Sequence, residues 1–108
     1  MERKYYKAIN FDLDTIKLRN YYPRYQKAYS DLLRFFRTKN FSHRQGSGYV
    51  SNIKLSSADI VDIIGDLQQE FAWAGTCIKK IDVTNVGAQY DLTELLAPVE
   101  MNDLFSLD

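Results

Sequence analysis

Cysteine and histidine are nearly absent from this chain of 108 residues, which holds one of each, Cys77 and His43. A lone cysteine excludes an internal disulfide framework and a cysteine-rich zinc site, and it fits a reducing cytoplasm. A lone histidine excludes a two-histidine acid–base pair within one chain. A symmetric dimer would supply two, yet His43 falls in a short strand and reads as structural. No long uncharged apolar run occurs, so no membrane span is expected. The stretch from Met1 to Tyr6 has no apolar leader region.

What the chain does have suits a soluble core. Hydrophobic residues make up 45% and aromatic residues 14%, which supports one domain with one core. The formal net charge of zero conceals a division. Residues 1–54 hold 12 Lys and Arg against 4 Asp and Glu, a net of +8. Residues 55–108 hold 2 against 10, a net of −8. Such halves point to a polyanion-binding face and an acidic face or tail, unless the fold interleaves them.

The order of elements follows from periodicity. The apolar run from Tyr5 to Phe11 makes Lys4–Asp12 a first strand, and residues 13–22 form a polar, basic connection. Pro23 suits the first turn of a helix. Tyr25, Ala28, Tyr29, Leu32, Phe35 and Phe36 then recur at helical spacing as a buried stripe that ends near Lys39 and Asn40. Phe41–Gln45 and Gly48–Ile53 read as two strands around a turn at Gly46 and Ser47. Ser56 or Ser57 caps a second helix, with Asp59 in its first turn and Ile60, Ile63, Ile64, Leu67 and Phe71 as its core stripe. Asp59, Asp62, Asp66 and Glu70 line its solvated face, and Gly75 ends the segment. Cys77–Val86 is a last strand, and Asp91 opens a short helix that Pro98 stops. The result is α+β: a ferredoxin-like βαββαβ with a four-stranded antiparallel sheet and both long helices on one face. Residues 1–96 form the domain and residues 97–108 an acidic tail. The bare sheet face predicts a homodimer.

Three stretches carry a family resemblance: Ala8-Ile9-Asn10-Phe11-Asp12-Leu13, Tyr25-Gln26-Lys27-Ala28-Tyr29-Ser30-Asp31-Leu32, and Gln45-Gly46-Ser47-Gly48-Tyr49-Val50. With the last strand and Asp91-Leu92-Thr93-Glu94-Leu95, they resemble the VapD (virulence-associated protein D) family over roughly residues 6–96. That resemblance implies kinship with the small ferredoxin-fold nucleases of CRISPR adaptation. It also implies a homodimer joined through its sheets and endoribonuclease activity, in some members as a toxin paired with a small antitoxin. The family's strand-end Asp corresponds to Asp12 and its Gln-Gly-Ser serine to Ser47. Asp14 is a second acid that departs from the pattern.

RNA cleavage needs a nucleophile, a proton acceptor and positive charge on the phosphate. Asp12, closing the first strand, is the candidate catalytic carboxylate. Across a dimer it would share Mg²⁺ or Mn²⁺ with its mate, or alone it would take the proton of the ribose 2′-OH. Asp14 is a helper metal ligand or a turn residue. Ser47 is a second site candidate, as a hydrogen-bond donor to phosphate or backbone. An ideal sheet of this type is expected to place its turn at the end opposite Asp12. Lys17, Arg19, Arg24 and Arg44 are the candidate phosphate contacts, and Tyr49 either stacks on a base or packs in the core. A non-catalytic nucleic-acid-binding or protein-interaction module is the alternative, because this fold serves both uses.

Overall fold

Alternation along the first strand sets the two sides of the molecule in a computed structural model, which describes residues 2–44, 48–87 and 92–96. In β1 (Tyr6–Leu13) the odd-numbered residues Lys7, Ile9, Phe11 and Leu13 are buried. Asn10 and Asp12 between them are exposed. Successive side chains of a strand point to opposite faces, so one face of the sheet meets the core and the other stays open.

Thr15–Leu18 forms a short helix, α1, within the stretch expected to be a plain connection. It exists because Asp14 caps it: Oδ1 accepts from the amides of Ile16 at 3.1 Å and Lys17 at 3.0 Å. The long helix α2 (Gln26–Thr38) starts three residues after Pro23. It buries Ala28, Leu32, Phe35 and Phe36, with Tyr25 and Tyr29 partly buried beside them. Asn40, at φ 67°, ends it in the left-handed region that asparagine tolerates better than most residues. Strands β2 (Phe41–His43) and β3 (Gly48–Ser51) follow, both shorter than their apolar patterns suggest.

Ser56 caps α3 (Ser57–Glu70) in a complete capping box with Asp59: Asp59 N donates to Ser56 Oγ at 3.1 Å, and Ser56 N donates to Asp59 Oδ2 at 2.8 Å. Ile60, Ile63 and Leu67 face the core. Gly75 does not end this segment; the helix stops at Glu70, and Gly75 lies inside a further short helix, α4 (Ala74–Cys77). Strand β4 (Ile78–Val86) completes the sheet, and Thr93–Leu95 make one 3₁₀ turn. Asp91, Ser47 and the 97–108 segment lie outside the described residues.

Among the described residues the four strands form one antiparallel sheet in the order β2-β3-β1-β4. This is the α+β, ferredoxin-like arrangement, with the first strand central and the last at an edge. The core lies between the sheet and the helices. Phe36, fully buried, stacks on Tyr49 at 4.5 Å and on Phe11 at 6.2 Å, and meets Phe35 and Phe41 edge-on. Among the described residues Lys7 is a buried cation; its Nζ donates to Asn85 Oδ1 at 2.5 Å and lies over the Tyr5 ring, which gives the buried ammonium a hydrogen-bond acceptor.

Candidate active site

The closing end of β1 holds Asp12 and Asp14, with Lys17 just beyond on α1. Asp12 is exposed on the open face of the sheet. Two residues on, the chain is fixed: Asp14 N donates to Cys77 O at 2.7 Å, which ties the start of α1 to the end of α4. Leu18 and Cys77, both fully buried, and nearly buried Trp73 support this rim from below. A relay strengthens it, since Trp73 Nε1 donates to Tyr22 Oη at 2.8 Å and Tyr22 Oη donates to Asp31 Oδ2 at 2.8 Å.

Asp14 belongs to the scaffold. Its carboxylate is held below the usual range first by the Lys17 amide and then by the charges of Lys79 and Lys17 and the Ile16 amide, against an opposing desolvation effect. Of the two roles expected for Asp14, the turn residue is the one seen here, with Oδ1 accepting both amides of the α1 cap. Tyr49 is corrected in the same way. Its ring is 3% exposed and stacks on Phe36 and, at 5.8 Å, on Phe11, leaving no free face for a base. Of the two readings, core packing holds.

The expected separation of the strand 2–3 turn from Asp12 is also overturned. Antiparallel pairing sets Asn10 opposite Gly48 and Ala8 opposite Val50, so β3 begins at the end where β1 closes. Arg44 N donates to Gly48 O at 2.7 Å at this same end. Lys17 is exposed on α1, directly beyond Asp12 and Asp14. Arg19 and Arg24 are exposed in the connection that leads from α1 to α2. His43 packs its ring 5.2 Å from Tyr49.

Two lysines escaped the sequence reading. Asp12 pairs across the ladder with Lys80, and the register then shifts so that Leu13 faces Ile78. Lys79 is the extra residue of this bulge. Asp82, opposite Asn10, shares the open face with Asp12 and Lys80, and Lys80 Nζ lies 3.9 Å from Asp82 Oδ2. The signal was present: Lys79 and Lys80 are the whole cationic content of residues 55–108, and antiparallel pairing of the first and last strands carries the start of one to the end of the other.

Carboxylates and an amide oxygen are the donors that Mg²⁺ or Mn²⁺ prefer. Among the described residues, however, no group of three or more His, Cys, Asp or Glu gathers closely enough to hold an ion. Lys80 stands opposite Asp12 in the ladder, and its ammonium lies 3.9 Å from the Asp82 carboxylate. No described helix is long and apolar enough to cross a membrane.

No protein-family model matches the chain. Two curated relatives do. The Endoribonuclease VapD 2 of Riemerella anatipestifer is 28% identical over 87 residues, covering 79% of this chain and 93% of its own length. An Endoribonuclease VapD homolog of Helicobacter pylori is 27% identical over 85 residues, covering 79% of this chain and 90% of its own length. Both support membership of the VapD family.

Proposed function

We propose that this chain, similar to VapD endoribonucleases along 79% of its length, is itself an endoribonuclease of single-stranded RNA with Asp12 as its general base. The observation that carries this reading is the exposed Asp12 carboxylate at the closing end of β1, facing Lys80 across the ladder and flanked by Lys17 on α1. Asp12 takes the proton of the ribose 2′-OH, the 2′-oxygen attacks phosphorus, and the bond from phosphorus to the 5′-oxygen breaks. The 5′-oxygen then takes a proton from solvent. The products are a 2′,3′-cyclic phosphate and a 5′-hydroxyl. Cations at the rim stabilise charge that develops on the phosphoryl oxygens.

The open face also supports a homodimer. Tyr6, Ala8, Val50 and Val86 make its half-buried apolar part, away from the polar rim at Asp12. Two copies meeting through this patch bury it and leave the rims open to RNA.

The test is cleavage of an end-labelled single-stranded RNA by the wild type and by Asp12→Asn. Loss of a positioned base lowers the rate by about 10²–10⁴-fold. Undiminished cleavage by a folded Asp12→Asn variant removes Asp12 from the mechanism. Activity that survives EDTA supports the proton-transfer route, whereas activity abolished by EDTA and restored by Mn²⁺ replaces it with the shared-metal route.

A further inference from the structure

Lys79 and Lys80 stand apart from the charge pattern of their half of the chain, and the fold gives them a common position. Pairing of Asp12 with Lys80 places both on the open face, because residues directly opposite in an antiparallel ladder share a side. In a regular strand the neighbouring Lys79 would point to the other side. The bulge at this point interrupts that alternation, and bulges serve to re-aim side chains near functional rims.

Neither lysine is committed to the core. The Lys80 side chain is 75% exposed, and its contact with Asp82 is a long surface pair of the kind that contributes little to stability. Lys79 is exposed and is the bulge residue opposite the step from Asp12 to Leu13, two residues beyond Cys77, whose carbonyl accepts the Asp14 amide at the start of α1. The rim thus carries Lys79 and Lys80 from the start of β4 and Lys17 from α1.

We propose that Lys79 and Lys80 form a phosphate grip for single-stranded RNA: Lys80 holds the phosphodiester beside Asp12, and Lys79 with Lys17 holds the adjacent phosphate. The inference rests on the endoribonuclease reading for its substrate, but it is read out by binding as well as by cleavage.

Anisotropy of a fluorescein-labelled single-stranded RNA, titrated with the full chain between about 50 and 200 mM KCl, tests it. Lys79→Gln and Lys80→Gln are each expected to lower the slope of log K against log salt by about 0.7, the value for one phosphate contact on a single strand. Lys27→Gln, on the outer side of α2, keeps the wild-type slope. In cleavage, Lys80→Gln lowers kcat by about 10²-fold, Lys79→Gln raises KM, and Lys80→Arg recovers most of the lost rate. Emission of the buried Trp73 verifies that each variant is folded.

Wild-type slope and affinity in both glutamine variants overturn the grip, even if RNA is cut normally. Reduced slopes with no cleavage by the wild type uphold the grip and overturn the nuclease reading. A wild type that neither binds nor cuts RNA overturns both.

Discussion

Replacing Phe36 with alanine should bring the domain to the edge of unfolding. Phe36 has no exposed surface, and its ring touches those of Tyr49, Phe11, Phe35 and Phe41. Truncating a buried phenylalanine costs about 3–5 kcal/mol, the larger values occurring where the surroundings cannot collapse into the cavity. Here the cavity walls are rings anchored on β1, β2, β3 and α2, so each closing movement would have to shift a strand or a helix. About 4 kcal/mol is therefore the expected cost, against a total stability of about 5–15 kcal/mol for a domain of this size. The midpoint of thermal unfolding should fall by roughly 15–30 °C. Phe36→Leu refills much of the volume and should cost only about 1–2 kcal/mol. Urea titration followed by circular dichroism and by Trp73 emission measures both. A Phe36→Ala cost below about 1.5 kcal/mol at unchanged m would refute the picture of a rigid aromatic cluster. The outcome also bears on the site: Phe11, stacked against Phe36, immediately precedes Asp12, so the core locates the carboxylate.

Two other perturbations probe the supports of the rim and of α3. Tyr22→Phe leaves the buried Trp73 indole N–H without its acceptor and removes the hydroxyl that donates to Asp31; a loss of about 1–3 kcal/mol is expected in urea titration, with a shift in Trp73 emission. The Asp59 carboxylate is held below its ordinary value of 3.8, first by the Ser56 amide and then by the Ser56 hydroxyl. A carboxyl whose folded value is depressed stabilises the protein above its unfolded value and loses that contribution as pH falls through the folded one. Stability should therefore drop as pH goes below about 3.8, and Asp59→Asn, which cannot titrate, should make that slope shallower; an identical acid limb in the variant would remove Asp59 from the account.

Periodicity carried most of the fold. The stripe of α2, the Ser56 cap with Asp59, and the apolar run of β1 each express a local rule that tertiary packing did not override. Helix α1 was hidden because four residues are too few to show a period; its only local mark was Asp14, an acid that also resembled a site residue. Gly75 misled for the opposite reason, since glycine is tolerated within a short helix whose neighbours Ala74 and Cys77 are held in the core. The candidate site was legible at Asp12 and Lys17, which lie close together in sequence. It was illegible at Lys79 and Lys80, because only the register of β1 against β4 joins them to Asp12.

That register also explains why charge per half-chain is a poor guide to this surface. A net of +8 followed by −8 suggests opposed faces, yet the topology inserts the last strand beside the first. Lys39 from the basic half pairs with Asp66 from the acidic half at 2.6 Å, so the halves neutralise one another where the helices meet. At the rim strand pairing instead brings the only two cations of the acidic half to the ladder positions opposite the end of β1. A ladder partner is fixed by backbone hydrogen bonds, whereas a surface ion pair is exchanged easily with solvent. Charge that must stand in a set position relative to a reacting phosphate is better placed by the first than by the second. The composition of the rim is thus a property of strand pairing, and a shift of β4 by one residue would turn Lys80 away from Asp12 to the opposite face while leaving every count in the sequence unchanged.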